Sequence, residues 1–149
     1  MESLAPGAVI NAAPARRPGV VLFALAMGSF AIGTTEFATM SLLPYFSKDL
    51  NIDPATAGHV ISAYALGVVV GAPTIAVLAA RLSRKFLLIM LMLVFGIANG
   101  LSALAPDYHW MLFFRFVSGL PHGAYFGVAS LVAASIVPVE RRAQAVARI

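Results

Sequence analysis

Long apolar runs separated by short polar stretches set the rhythm of this chain, and none of the runs shows the period-two alternation of a half-exposed strand. From Gly19 to Ser47 the one ionisable carboxylate is Glu36, and the run ends at Pro44 before the polar stretch Ser47-Lys48-Asp49. Ala55 to Ala80 contains no Asp, Glu, Lys or Arg and follows Asp53-Pro54, a pair that suits a helix start with proline in the first turn. Phe86 to Ala105 is again uncharged, between Arg81-Leu82-Ser83-Arg84-Lys85 and Pro106-Asp107. A fourth run goes from about Trp110 to Val137, with Arg115 inside it, and stops at Pro138-Val139-Glu140-Arg141-Arg142. A helix of about 20 apolar residues crosses a hydrocarbon core about 30 Å thick. The pattern therefore predicts transmembrane helices over about 19–46, 55–80, 86–105 and 110–137, the start of a fifth, and a flexible tail over 1–18. The short connections predict that neighbouring helices are antiparallel.

Composition removes the soluble alternative. The residues are 60% hydrophobic and 11% charged, and the mean hydropathy is +0.90, whereas a soluble domain is about 25% charged. The net charge of +4 does not point to nucleic acid, because the cations cluster between the apolar runs, where they act as topology signals. There is no cysteine and hence no disulfide framework or thiolate metal site. Ala13-Pro14-Ala15 has the look of a signal-peptide cleavage site, but the stretch before it holds Glu2 and no Lys or Arg, so it reads as tail. Arg16, Arg17, Arg81, Arg84, Lys85, Arg141, Arg142 and Arg148 fall on one side of the predicted membrane and Lys48 alone on the other. That asymmetry places the N-terminus, the loop with Arg81, Arg84 and Lys85, and the C-terminal end in the cytoplasm of a cell whose inner membrane holds the chain.

A charge near the middle of a spanning helix costs about 2.5 to 3.5 kcal/mol on insertion scales, so each one calls for a reason. The two are Glu36 and Arg115. Counted from the outer ends near Pro44 and Trp110, Glu36 lies roughly 12 Å and Arg115 roughly 8 Å deep, near enough to pair if their helices touch. His122 follows Arg115 by seven residues, two helical turns, and shares its face near the midplane. Its side chain type titrates near neutral pH. Each of the three has a plainer reading: an ion pair that only holds the bundle, an Arg that snorkels outward, a neutral His satisfied by a carbonyl or hydroxyl. His59 and His109 sit near helix ends, in water.

Small residues recur every fourth position: Ala63, Gly67 and Gly71 in the second run, Gly96 and Gly100 in the third, Gly119, Gly123 and Gly127 in the fourth. Such stripes let helices approach closely. Pro73 and Pro121 lie inside helical runs, where the missing donor favours a kink. No nucleophile elbow, zinc-protease motif, phosphate loop or paired carboxylates are present, so no enzyme, cofactor or metal is implied.

These motifs together resemble the N-terminal part of a major facilitator superfamily transporter, in the arabinose-efflux-like and drug:proton antiporter branch. The resemblance rests on Gly33-Thr34-Thr35-Glu36-Phe37 with Leu42-Leu43-Pro44, on Ala57-Gly58 with Ser62-Ala63-Tyr64-Ala65-Leu66-Gly67 and Gly71-Ala72-Pro73, on Arg115-Phe116-Val117-Ser118-Gly119-Leu120-Pro121-His122-Gly123-Ala124, and on Val137-Pro138 with Glu140-Arg141-Arg142-Ala143. It covers about residues 18 to 149. One loop departs from the family pattern Gly-x-x-x-Asp-Arg-x-Gly-Arg-Lys: Ala76, Ala80 and Ser83 stand for the first Gly, the Asp and the second Gly, while Arg81, Arg84 and Lys85 remain. A gating salt bridge through that Asp therefore does not carry over, and the three cations read as topology and lipid contact.

The resemblance implies an all-α bundle, four helices and the approach to a fifth out of a 6+6 arrangement, in which spans one and four line the central cavity. It further implies proton-coupled efflux of a small organic solute such as a sugar, nucleoside or drug by alternating access. Glu36 would be the protonatable group and Arg115 and His122 would tune it or touch the solute. The partners are then protons, the solute, the lipid bilayer and the remaining helices of a full-length transporter, with no nucleic acid. A four-helix membrane protein that acts by helix association, as a structural or regulatory partner, is the alternative from a different class; a self-assembling small transporter is a third.

Overall fold

The computed structural model describes residues 17–149. Residues 1–16 of the predicted tail, Arg16 among them, lie outside the described residues. Four long helices follow one another: α1 Pro18–Asp49, α2 Pro54–Leu78, α3 Arg84–Ala103 and α4 Tyr108–Ser135. A 3-10 turn Val139–Arg141 then leads to the short helix α5 Arg142–Val146. All four long helices have the length and apolar composition to cross a membrane. Large apolar side chains such as Phe23, Phe37, Val69, Val77 and Ile97 stand exposed on them, as a bilayer allows and water does not. The chain is a multi-pass, all-α membrane protein.

Polar caps, not the ends of the apolar runs, decide where three of the helices begin. Asp53 accepts from the backbone N–H groups of Ala55 and Thr56, each at 3.0 Å, so α2 starts at Pro54. Asp107 does the same for His109 at 2.9 Å and Trp110 at 3.1 Å, and Ser83 accepts from Phe86 N–H at 3.4 Å. Each satisfies donors that a helix N-terminus leaves free. The Thr56 hydroxyl also donates to Asp53, and this bond, with the Thr56 backbone N–H next, holds the Asp53 carboxyl below the ordinary carboxylate range. The capped start at Ser83 places Arg84 and Lys85 in the first turn of α3 and leaves only Arg81 in the loop. Pro44 does not end α1, which continues to Asp49. A proline removes one donor but leaves the neighbouring bonds, so a helix held by its surroundings runs on. The turn to α2 passes through Asn51 at φ 51°, a conformation Asn tolerates, and Ser47 closes it by donating to the Ile52 carbonyl at 2.6 Å.

α4 is the central element and packs most extensively against α2, then α3, and more sparingly against α1. Its inward face is small, with Ala124, Ala129 and Ala133 buried among Leu22, Leu25, Tyr64, Leu91 and Phe95. The α2–α4 seam is a backbone-to-backbone contact. A methyl added at Gly67 would collide with the Phe116 carbonyl and come to 3.0 Å from Gly119 Cα; one at Gly71 would meet Leu120, one at Gly119 the Tyr64 carbonyl, one at Gly123 the Val68 carbonyl. The other glycines of the same spacing behave differently: Gly96, Gly100 and Gly127 have open space where a side chain would go. α1 is fastened to α4 by Tyr125, whose hydroxyl donates to the Leu25 carbonyl at 2.8 Å and lies against Gly28.

Candidate functional site

Arg115 lies about two turns into α4, and the packing of α2 and α3 around α4 buries it to 4% exposure. A buried guanidinium needs partners for its five donors and its charge. Tyr64 of α2 supplies its ring, with the guanidinium carbon 4.3 Å from the centroid, and Asn99 of α3 supplies its side-chain carbonyl, 3.1 Å from Nη1. Asn99 is itself fixed by donating to the Phe95 carbonyl at 2.8 Å. Arg115 Nε has no hydrogen-bond partner among the described residues.

Two turns on, His122 faces the same side of α4 and its Nδ1 lies 2.8 Å from the Tyr64 hydroxyl. Tyr64, 3% exposed, thus joins Arg115 to His122 by using its face for one and its hydroxyl for the other. Glu36 of α1 is half-buried beside this group. No ion pair forms between Glu36 and Arg115 among the described residues; the one pair found there is His109 with Asp107 at 4.0 Å. On the same face of α1, a methyl added at Gly33 would meet nothing within 4 Å and Met40 is exposed, so the carboxylate stands at an opening instead of within a packed seam.

The arrangement is one imidazole and one guanidinium of α4 held around a tyrosine from α2, with a half-buried carboxylate on α1. It suits a group that gains and loses a proton beside a fixed positive charge. Tyr64 and Asn99 escape a reading that counts only charges, because neither is ionised. The available signal is an amide inside the uncharged third run, which is costly in hydrocarbon unless paired. His59 and His109 are exposed, and His59 Nδ1 meets the Tyr108 hydroxyl at 2.9 Å at the α2–α4 end. Arg81, Arg84 and Lys85 are exposed at the opposite end of the bundle and take no part in the cluster.

The Major Facilitator Superfamily profile matches residues 25–149. The inner membrane transport protein YdhP of Escherichia coli K12 is 49% identical over 126 residues, which are 85% of this chain and 32% of that protein. The chloramphenicol resistance protein of Streptomyces lividans is 34% identical over 126 residues, again 85% and 32%. A probable sugar efflux transporter of Helicobacter pylori P12 is 30% identical over 124 residues, 83% and 32%. The chain spans about a third of the length of the curated relatives it matches. No solved structure matches it.

Proposed function

The chain belongs to the major facilitator superfamily, and on that footing we propose that it is the N-terminal third of a secondary transporter that exports a small organic solute in exchange for protons. The observation that carries this reading is Glu36, a half-buried carboxylate without an ion-pair partner among the described residues, on the helix α1 that packs against α4 and its Arg115–Tyr64–His122 group. Burying a charged carboxylate is expensive and burying a neutral one is not, so a proton on Glu36 shifts the balance between a state that exposes it and one that closes over it. His122, tied to Tyr64, is positioned to accept or pass on a proton or to hydrogen-bond the solute. The missing helices complete the cavity, and the cation asymmetry puts the N-terminus in the cytoplasm and the chain in the inner membrane. A stand-alone four-helix partner is not favoured by the family assignment.

Names among the relatives speak of chloramphenicol resistance and of sugar efflux, and a small organic solute is the class common to both. The test uses inside-out vesicles that carry the full transporter. An inside-acid gradient should drive uptake of at least one member of a panel of sugars, nucleosides and drugs, and collapsing the gradient should stop it. Uptake that ignores the gradient would refute proton coupling.

A further inference from the structure

Among the described residues, α3 meets the Arg115 guanidinium through one hydrogen bond, from Nη1 to Asn99 Oδ1 at 3.1 Å. The Asn99 amide is oriented from both ends. Its nitrogen donates to the Phe95 carbonyl one turn back at 2.8 Å, and Phe95 is itself packed into the core at 4% exposure. Turning the amide over would set its oxygen against that carbonyl and its hydrogens against the guanidinium, so a single orientation satisfies both neighbours. Arg115, Asn99 and Tyr64 sit on α4 and on the two helices that pack most extensively against it, α3 and α2.

The two contacts of the guanidinium do different things. The Tyr64 ring, its centroid 4.3 Å from Cζ, attracts a cation over its face. That attraction sets the height of the charge above the ring but leaves the planar group free to turn on its flexible stem. A hydrogen bond has a direction, and the bond to Asn99 stops the turn. An aspartate in the same place would also hold the guanidinium, and would cancel the charge that it held. The amide holds it and adds no charge. The ring that carries the cation is the one whose hydroxyl lies 2.8 Å from His122 Nδ1, so the placing of Arg115 bears on the group that meets the imidazole.

We infer that Asn99 is a positioning residue, which locks the Arg115 guanidinium onto the face of Tyr64 through a neutral acceptor and so sets an uncancelled charge beside the tyrosine that meets His122. It acts through Arg115. Its purpose in transport rests on the transport reading, whereas its hold on Arg115 does not.

The test follows the guanidinium by solid-state NMR of the full transporter in lipid, with isotope-labelled arginine and the Arg115 signal assigned by its loss in Arg115→Gln. In the wild type this signal should lie upfield of the other arginines, because its protons stand over the Tyr64 ring. Asn99→Leu, similar in size, should return it to the common position and lower the maximal rate of substrate exchange, per folded molecule, at least about tenfold, the cost of losing a hydrogen bond to a charged group. Asn99→Asp keeps the acceptor, so the signal should stay upfield while the pH profile of transport moves by about one unit. A side chain that only packed α3 against α4 would change the folded amount and neither the signal nor the profile. An upfield signal in Asn99→Leu, or an unmoved profile in Asn99→Asp, overturns the inference. If Asn99→Leu does not fold, Asn99→Ala takes its place with the same readings. A transporter whose rate ignores pH would sink the coupling proposal, and the guanidinium signal then decides the hold by itself.

Discussion

Two glycine-to-alanine substitutions that look alike in the sequence should part company in the membrane. Gly67 and Gly96 both belong to stripes of small residues at four-residue spacing, and both are helical. In both, alanine gains helix propensity of about 1 kcal/mol, so this contribution cancels between the two variants. At Gly96 the new methyl meets nothing within 4 Å. At Gly67 it runs into the Phe116 carbonyl and comes to 3.0 Å from Gly119 Cα and 3.1 Å from Phe116 C, all backbone atoms that no rotamer change can move. The clash with the Phe116 carbonyl oxygen is the tightest of the three, so α2 and α4 must separate by about 1 Å or more, and a gap of that size forfeits about half of each contact along the seam. Overpacking of this kind costs about 1 to 3 kcal/mol. Gly67→Ala should therefore be less stable than Gly96→Ala by that amount, a factor of about five or more in the folded ratio. Denaturant titration in mixed micelles, followed by helicity, measures it. Coincident midpoints for the two variants would show that the α2–α4 seam is not a backbone contact, and the placing of Arg115 over Tyr64 would lose its foundation.

Asp49→Cys should react with an impermeant thiol reagent added outside intact cells and Leu82→Cys should not; the reverse pattern would invert the proposed topology. The Asp53 cap gives a pH dependence with a fixed sign. Its folded carboxyl lies below the ordinary value of 3.8, so its contribution is present above that value and is lost as pH falls through the folded value, whereas Asp53→Asn should keep a cap and lose that acid sensitivity. Comparing the acid limbs of the two unfolding curves checks this, and identical limbs contradict it. Tyr64→Phe keeps the ring under Arg115 and removes the hydroxyl from His122, so it should shift the pH profile of transport with little loss of stability. Tyr64→Leu should lose the cation–π contact as well, about 2 kcal/mol when desolvated, and equal unfolding midpoints for these two variants would count against the stacking.

The four spans were legible because a bilayer leaves a helix few alternatives: an apolar run of sufficient length satisfies its own backbone or does not insert. Helix ends were less so, since Asp53, Ser83 and Asp107 override the hydropathy boundary by one or two residues each, and this moved Arg84 and Lys85 from loop to helix. Four-residue spacing identified Gly67, Gly71, Gly119 and Gly123 and equally Gly96, Gly100 and Gly127, of which only the first group meets a facing backbone. Spacing reports a face and is silent on what covers it. For Arg115, counting residues from the outer end gave its height in the membrane and suggested Glu36, but height does not fix rotation about the helix axis, and the guanidinium turns to Tyr64 and Asn99. Those two residues carry no charge and were therefore the hardest part of the cluster to see.

The central claim is that Glu36 carries the proton, and the direct measurement is Glu36→Gln in proteoliposomes with the full transporter, assayed both for gradient-driven accumulation and for substrate-for-substrate exchange. Gln keeps the size of Glu36 and cannot exchange a proton. Driven accumulation should disappear while exchange, which needs no net proton movement, persists, and Glu36→Asp should retain part of both. Accumulation by Glu36→Gln at the wild-type rate, still responsive to the pH gradient, would contradict it and reduce Glu36 to a structural residue.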